Sequence, residues 1–188
     1  MLSSGNWDSA TALMIDAARR FEAGGAEALV ICTNTMHRIA PALETTVDLP
    51  LIHIADATAG RMKTAGATRP ALLATRFTME QDFYTGRLRD RHGIEALVPD
   101  EDGRALLHRV IYEELCRGEV KPESKSAYIE QIERLRRAGA DSVILGCTEI
   151  TMLIGAEDTE LPVFDTTRIL AEAAMDFALG DLHADAGH

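Results

Sequence analysis

The chain lacks the long apolar run that a membrane span requires, and it is poor in cysteine. No stretch of its 188 residues approaches the roughly 20 consecutive apolar residues of a transmembrane helix. Residues 1–6 show neither a basic region nor an apolar core, so we expect no secretion signal. The 3 cysteines, an odd number at wide spacing, do not form a disulfide framework. These absences favour a cytoplasmic protein with no membrane partner.

Positive charge is also scarce, with 19 Lys and Arg against 30 Asp and Glu, for a formal net charge of −11. Binding of nucleic acid needs a basic face over the phosphates, so a nucleic-acid partner is excluded. We interpret the negative surface as a solubility feature. The length suits one ordinary domain or two small lobes.

Short apolar runs alternate with segments of helical periodicity along most of the chain. The runs predict strands at Ala28–Ile31, Leu51–Ile54, Ala71–Ala74, Ala96–Val98, Ser142–Leu145 and Pro162–Phe164. The clearest helical segments are Arg104–Cys116, Ser126–Arg137 and Arg168–Leu179. Continuous apolar strands separated by helices favour an α/β fold with parallel strands covered by helices on both faces.

Two segments of the chain resemble one another, and each ends just after a cysteine. Residues 19–33 read RRFEAGGAEALVICT, and residues 136–148 read RRAGADSVILGCT. Each predicts a helix end, a glycine turn, a buried strand and a cysteine at the carboxyl end of that strand. Two matching thiols suit a reaction with two interchangeable acid/bases. Cys32 and Cys147 are therefore candidates to face one substrate from opposite sides.

The duplication predicts two similar lobes. We expect the first, which holds Cys32, to comprise residues 1–54 together with 160–188, and the second, which holds Cys147, to comprise residues 55–159. Ligands of parallel α/β sheets bind beyond the carboxyl ends of the strands. Both cysteines fall at that edge.

A thiol at the start of a helix lies near unpaired backbone N–H groups, which lower its pKa from about 8.5. We expect this for Cys32, followed by possible helix caps in residues 33–35, and for Cys147. The polar groups suited to bind the carboxylate and amine of an amino acid are those of Asn34, Thr35 and Thr148.

Other interpretations of these residues compete with that one. A single strand-end cysteine is usually a packing residue, and Cys116, which has no such setting, is interpreted as structural or incidental. The spacing of Cys32, His37, His53 and Asp56 matches no closed zinc site, so we expect no metal. A helical spacing of five does not place Cys32 and His37 on one face, which disfavours a nucleophile–base pair.

Three further features have structural interpretations. Gly24-Gly25 predicts a helix stop rather than a phosphate loop. The acidic run at residues 100–102 predicts the N-terminal cap of a helix. His53 ends an apolar run and is interpreted as a buried or rim histidine.

Four segments together resemble the aspartate/glutamate racemase family. Residues 31–37 (ICTNTMH) and 145–150 (LGCTEI) resemble its paired cysteine signatures, and residues 73–79 (LATRFTM) and 162–167 (PVFDTT) resemble it as well. The similarity extends over essentially the whole chain, most closely to broad-specificity amino-acid racemases.

The resemblance implies a cofactor-independent racemase of two pseudo-symmetric α/β lobes, with its active site in the cleft between them. It implies that Cys32 and Cys147 are the two catalytic bases, without pyridoxal phosphate. It also implies substrate contacts from Thr33, Asn34, Thr35, Thr75, Thr148 and Glu149. The expected partner is a small amino acid, and a homodimer is the default assembly.

The chemistry of inversion at Cα also favours a two-base reaction. An α-hydrogen is a very weak acid, so its removal needs a well-placed base and stabilisation of the developing carbanion. Inversion takes the proton from one face of Cα and returns one on the other. With the two groups on opposite sides of the substrate, a thiolate can take the proton from one face and a thiol can return a proton to the other.

The chain departs from the family pattern in two places. Family members begin with a strand, a helix and a strand, whereas this chain opens in the helix before Cys32, so we expect a first lobe that is truncated at its N-terminus. Cys116 stands where some aspartate-specific relatives carry a lysine, so a broader or different amino-acid substrate competes with aspartate.

Two alternatives stay open. One is a maleate isomerase or decarboxylase of the same superfamily, in which a strand-end cysteine is a nucleophile or a single proton donor. The other is a truncated relative that only binds an amino acid or a partner subunit.

Overall fold

The computed structural model describes residues 7–180, and α-helices alternate with β-strands over this range. The helices are α1 Trp7–Ala23, α2 Ala40–Glu44, α3 Ile54–Thr64, α4 Arg76–Glu80, α5 Asp82–His92, α6 Glu101–Glu113, α7 Pro122–Arg137 and α8 Thr166–Ala178. The strands are β1 Leu29–Val30, β2 Leu51–Ile52, β3 Pro70–Ala74, β4 Ser142–Gly146 and β5 Val163–Asp165. Short 3₁₀ helices occupy Thr35–Ile39, Leu115–Arg117, Ile150–Met152 and Ala156–Asp158. The predicted α/β class is confirmed.

The strands form two parallel sheets that are flanked by helices. In the smaller sheet, β1 pairs with β2 through Leu29↔Leu51 and Val30↔Ile52. The larger sheet has the order β3-β4-β5. All residues of β3 and β4 are buried, as expected for parallel strands covered on both faces. Within residues 7–180, none of the helices has the length and apolar character that crossing a membrane demands.

Some predicted strands are shorter in the structure. The run Ala96–Val98 forms a single bridge, in which Leu97 exchanges backbone hydrogen bonds of 2.8 Å with the edge of β3. β1 ends early because the chain turns tightly at Cys32. β2 ends early because His53 caps α3, its Nδ1 accepting from the backbone N–H of Ala55 at 3.2 Å.

Each sheet has its own apolar core. The smaller core consists of Ala18, Leu29, Ile31, Ile39, Leu43 and Val47. The larger core surrounds β3 and β4, and it includes Ile169 and Leu170 of α8. β5, which falls in the range 160–188, pairs with β4. The division of the chain into lobes at residues 54 and 160 stays a prediction.

The two duplicated segments turn in the same way. Gly25, after α1, has a φ of 82°, and Gly139, after α7, has a φ of 96°. In both turns the next residue donates its backbone N–H to a carbonyl five positions earlier, Ala26 to Phe21 and Ala140 to Leu135, each at 3.0 Å. Each helix therefore ends at a residue with a left-handed backbone conformation, which glycine adopts without steric cost. The predicted helix stop is confirmed, and so is the cap of α6, where Asp100 Oδ1 accepts from the N–H of Gly103 at 2.8 Å.

Two buried histidines fasten the segment after β1 to the start of α3. His37 Nδ1 lies 2.8 Å from the carbonyl oxygen of Thr33, and His37 Nε2 lies 3.2 Å from the backbone nitrogen of Ile54. Because Nε2 accepts from Ile54, the neutral ring carries its proton on Nδ1 and donates to Thr33. The ring of His53 packs edge-on against it, with centroids 4.4 Å apart. The interpretation of His53 as a buried histidine is confirmed.

Burial keeps both rings uncharged. It lowers the pKa of His37 to about 4, against the hydrogen bond to Thr33, which raises it. Burial, followed by the repulsion between the two rings when both are protonated, lowers the pKa of His53 to about 2. In the unfolded chain both rings titrate near 6.5, so protonation favours unfolding.

We expect the free energy of unfolding to fall as the pH decreases from 6.5 towards 4. In this window the unfolded chain binds protons at His37 and His53, whereas the folded protein does not. Each ring contributes a slope of about 1.4 kcal/mol per pH unit. Urea denaturation at a series of pH values measures this slope, and His37→Gln should reduce it. An equal slope in the parent and the variant between pH 6.5 and pH 4.5 would contradict this role of His37.

Candidate active site

The carboxyl ends of three strands converge on one small cavity. The residues that follow β1, β3 and β4 line a volume of about 170 Å³. This edge of a parallel sheet is where the sequence predicts the ligand. The predicted site residues gathered here are Thr33, Asn34, Thr35, Thr75, Cys147, Thr148 and Glu149.

The register of the larger sheet places Thr75 beside Cys147. The last pair of β3 and β4 is Ala74↔Gly146, so Thr75 and Cys147 are the next residue on each strand. A Cβ at Gly146 would lie only 3.0 Å from Ala74 Cβ and 3.0 Å from a methyl group of Leu72. Glycine therefore allows the close approach at which the cavity begins.

The end of α6 and the 3₁₀ helix after it supply the remaining wall. Ile111, Tyr112 and Cys116 line the cavity together with Cys147. Cys116, interpreted from the sequence as structural or incidental, therefore borders the same cavity as Cys147. Tyr112 was not predicted, although its spacing of four from Cys116 places both residues about one helical turn apart, on a common face.

A triangle of buried hydroxyl groups joins the segment after β1 to the segment after β3. Thr35 Oγ1 lies 3.0 Å from Thr75 Oγ1 and 3.4 Å from Thr78 Oγ1. Thr75 Oγ1 and Thr78 Oγ1 lie 3.3 Å apart. Thr78 was also not predicted, although it lies within the segment that resembles the family.

Asn34 links the same segment to α8 instead of capping a helix. Its Nδ2 donates to Thr166 Oγ1 at 3.0 Å, and that hydroxyl donates to the carbonyl of Leu145 at 2.8 Å. These two hydrogen bonds fix the orientation of the Asn34 amide. Because the single hydroxyl proton of Thr166 is donated to Leu145, Thr166 can only accept from the amide, so the Nδ2 of Asn34 must face it. The buried Oδ1 of Asn34 has no hydrogen-bond partner in the structure. Such an acceptor is suited to a ligand's N–H.

Cys147 forms a hydrogen-bonded group with the two residues after it. Its Sγ donates to Glu149 Oε2 at 2.9 Å, and Thr148 Oγ1 donates to the same oxygen at 2.7 Å. Burial raises the pKa of Cys147, and the hydrogen bond to Glu149 and its charge raise the pKa further. Burial also acts to raise the pKa of Glu149, but the hydrogen bonds from Cys147 and Thr148 hold that pKa below its ordinary value. At neutral pH the proton is therefore on the sulfur and the negative charge is on Glu149.

The expected lowering of the pKa of Cys147 is wrong. The chain does not enter an α-helix after this strand; it forms a single 3₁₀ turn at Ile150–Met152. The dominant neighbouring charge is then the carboxylate of Glu149 rather than the positive end of a helix. Burial, followed by Glu149, likewise raises the pKa of Cys116.

Cys32 is the predicted site residue that does not line this cavity. It is exposed, and it borders a separate apolar cavity of about 130 Å³ whose other lining residues are Val30, Ile54, Thr167, Leu170 and Ala171. The backbone N–H of Thr33 donates to the carbonyl of Ile31 at 2.8 Å, so Cys32 is the central residue of a tight turn. The turn directs Thr33 into the cavity of Cys147 and Cys32 against α8.

Three of the four residues considered for zinc are engaged in other contacts. Arg87 donates to both carboxylate oxygens of Asp56, at 2.8 Å and 2.6 Å, and His92 Nε2 lies 2.8 Å from the same carboxylate. His37 and His53 accept from backbone N–H groups. Across residues 7–180, no group of three or more metal-binding side chains is placed to hold an ion.

Comparison with known proteins decides the family. The sequence model of the Asp/Glu/Hydantoin racemase family matches residues 2–174. The chain belongs to this family. The resemblance found in the four sequence segments is thereby confirmed for the family as a whole.

Several solved structures share this fold. A candidate Asp/Glu racemase from Yersinia pestis is 49% identical, with a TM-score of 0.90 over 95% of this chain and 77% of that one. An aspartate racemase homologue from Pyrococcus horikoshii OT3 is 33% identical, with a TM-score of 0.83 over 93% of this chain and 76% of that one. A mutant of arylmalonate decarboxylase is similar in fold alone, at 16% identity and a TM-score of 0.57 over 93% of this chain and 77% of that one.

We expect Glu149→Gln to lower the pKa of Cys147, because it removes the negative charge beside the sulfur. The rate of alkylation of Cys147 by iodoacetamide reports its thiolate fraction. Peptide mass spectrometry across a pH series should show an alkylation profile whose midpoint lies at lower pH. Because pH 8 lies below the pKa of the thiol, the alkylation rate at that pH should rise about tenfold for each pH unit by which the pKa falls.

Thr148→Val is the matched control for this experiment. It removes one hydrogen bond to Glu149 and keeps the charge, so the profile of Cys147 should move much less than in Glu149→Gln. A profile that is unchanged in Glu149→Gln, or that moves to higher pH, would show that Glu149 is not the source of the raised pKa.

Proposed function

We propose that the protein is an amino-acid racemase, an isomerase that moves a proton at Cα without pyridoxal phosphate. The observation that carries the proposal is the Cys147 thiol, hydrogen bonded to Glu149 in a small cavity that is lined by hydroxyl and amide groups. Membership of the Asp/Glu/Hydantoin racemase family supports the same chemistry.

The polar groups of the cavity suit the parts that all α-amino acids share. Hydroxyl groups of Thr33 and Thr75 can donate to the α-carboxylate. The unpaired Oδ1 of Asn34 can accept from the α-ammonium group. The substrate is thus bound through its α-ammonium and α-carboxylate groups, with its Cα facing the sulfur of Cys147.

The raised pKa of Cys147 fits proton transfer at carbon. In the resting protein the thiol is protonated, so it is ready to donate a proton to a carbanion. The thiolate left behind lies beside the charge of Glu149 and is a strong base. A strong base is what removal of a weakly acidic α-hydrogen requires.

Cys32 is proposed as the second base, on the opposite face of the substrate. Its neighbour Thr33 already lines the cavity, and the tight turn at residues 31–33 separates the two side chains. For inversion, that turn has to rotate when substrate binds, bringing the exposed sulfur of Cys32 from the side of α8 to the cavity. The homodimer, the cytoplasmic location and the two-lobe division stay predictions beside this proposal.

The two-base proposal predicts different defects in inversion and in exchange. In Cys32→Ser and in Cys147→Ser, racemisation should fall by about 10² to 10⁴, because each variant lacks one acid/base. Each variant should still exchange the α-hydrogen of one enantiomer with D₂O, and the two variants should favour opposite enantiomers. Chiral chromatography and ¹H NMR measure the two rates. Inversion at the parent rate in Cys32→Ser would contradict the role of Cys32.

One observation favours a second candidate, an enzyme with a single thiol proton donor of the decarboxylase or maleate isomerase kind. Of the two predicted cysteines, Cys147 alone lines the cavity in this structure. Such an enzyme would release CO₂ from a malonate or isomerise a double bond, and it would depend on Cys147 but not on Cys32. Exchange at the Cα of an amino acid in D₂O, without either of those products, distinguishes the racemase. A protein that only binds its ligand would show none of these reactions.

A further inference from the structure

Thr166 is a fully buried residue whose hydroxyl group the proposed reaction does not use. It is the first residue of α8 and directly follows β5, whose Asp165 pairs with Leu145 of β4. This register brings the Thr166 hydroxyl to the carbonyl of Leu145, to which it donates at 2.8 Å. Asp165 Oδ1 accepts from the backbone N–H groups of Thr167 and Arg168, so α8 is capped without Thr166. The oxygen of Thr166 is therefore available for a second hydrogen bond.

That second hydrogen bond comes from Asn34, whose Nδ2 lies 3.0 Å from Thr166 Oγ1. Rotation of the Asn34 amide by half a turn would bring Oδ1 to Thr166 instead. Two buried acceptors would then be in contact, because the one proton of the hydroxyl is donated to Leu145. Buried polar groups that lose their partners cost free energy, so the hydroxyl group of Thr166 holds the amide in one orientation.

This orientation leaves the carbonyl oxygen of Asn34 for a ligand. Asn34 lines the cavity of Cys147 and Thr166 does not, so the nitrogen end of the amide is engaged outside the cavity. Asn34 is only 2% exposed, and within residues 7–180 no donor forms a hydrogen bond with its Oδ1. A buried acceptor of this kind is suited to a donor that the ligand brings.

An acceptor at this position distinguishes an α-ammonium group from an α-hydroxyl group. The ammonium group has N–H donors and no acceptor, so it bonds only to the oxygen end of an amide. Its charge makes this hydrogen bond about twice as strong as one from a neutral hydroxyl group. A hydroxyl group both donates and accepts, so either end of the amide can bind it. The oxygen end therefore favours an α-amino acid over the α-hydroxy acid of the same skeleton.

Resting on the proposed racemase function, we infer that Thr166 is a positioning residue that selects α-amino acids over α-hydroxy acids. It fixes the oxygen of Asn34 as the group that meets the ligand. Thr166 does not line the cavity and acts through Asn34. Without the hydroxyl group, the amide is free to present either end. An ammonium group then loses its acceptor whenever the amide is reversed, whereas a hydroxyl group keeps a partner.

Thr166→Val tests this role, because it removes the hydroxyl group and keeps the shape of the side chain. Exchange of the α-hydrogen in D₂O, followed by ¹H NMR, gives kcat and KM for aspartate, glutamate, alanine and serine. Inhibition of that exchange gives Ki for the matching hydroxy acids malate, 2-hydroxyglutarate, lactate and glycerate. In the parent, we expect Ki to exceed the KM of the matching amino acid by about tenfold or more. In Thr166→Val this ratio should fall about tenfold through a higher KM, while kcat changes little.

Two variants are matched controls for the loss of the hydroxyl group. Thr166→Ser keeps the hydroxyl and should retain the ratio of the parent. Thr58→Val removes another fully buried hydroxyl that donates to a backbone carbonyl, that of Ile54 at 2.7 Å, but outside the cavity. It should lower stability without changing the ratio. An unchanged ratio in Thr166→Val, or an equal fall in either control, overturns the inference and leaves the racemase function standing.

The parent protein offers a test that does not depend on the folding of a variant. In ¹⁵N-labelled protein, a strong NOE should connect the side-chain NH₂ of Asn34 to the methyl group of Thr166. A weak or absent NOE means that the amide is reversed, which overturns the inference. Absence of exchange with all four amino acids in the parent contradicts the racemase function itself, and the inference with it.

Discussion

The register of β3 against β4 is the constraint on which the candidate site depends. The two strands end together at Ala74 and Gly146, so the next residue of each, Thr75 and Cys147, enters the same cavity. The glycine permits this, because any larger residue at that position would push against Ala74 and Leu72. A shift of one residue in the pairing would turn Cys147 to the other face of the sheet.

Hydrogen bonds then tie the segment after β1 to this edge. Thr35 forms a hydrogen bond with Thr75, and Asn34 donates to Thr166. The ring of His37 joins the carbonyl of Thr33 to the backbone N–H of Ile54. These contacts connect the smaller sheet, the larger sheet and α8 around one volume. The site is thus assembled by polar side chains at the ends of strands, whereas the two apolar cores hold the strands themselves.

Much of this arrangement could be predicted from the sequence. Continuous apolar runs identify parallel strands, and the polar residues directly after them must lie at the carboxyl edge, which is why Asn34, Thr35, Cys147 and Thr148 were found. Thr33, Thr75 and Glu149 were predicted from the resemblance to the racemase family. Tyr112 and Cys116 could not be placed in this way. They belong to a helix and its continuation, and the contact between α6 and the end of β4 is a long-range feature of the packing.

The protonation state of Cys147 could also not be predicted from the sequence. Glu149 follows Cys147 by two residues, a spacing that is equally compatible with a carboxylate turned to solvent or to substrate. Its orientation towards the sulfur depends on the 3₁₀ turn at Ile150–Met152, which replaces the helix that the sequence predicts. The position of Cys32 depends in the same way on a local turn, which the repeat with residues 136–148 gives no means to foresee.

A crystal structure of the protein with a bound amino acid tests the central claim most directly. The account predicts the ligand in the cavity of Cys147, with its Cα about 3 to 4 Å from the sulfur, close enough for proton transfer. A ligand that occupies another cavity, or whose Cα lies beyond the reach of that sulfur while its side chain points to Glu149, would contradict it.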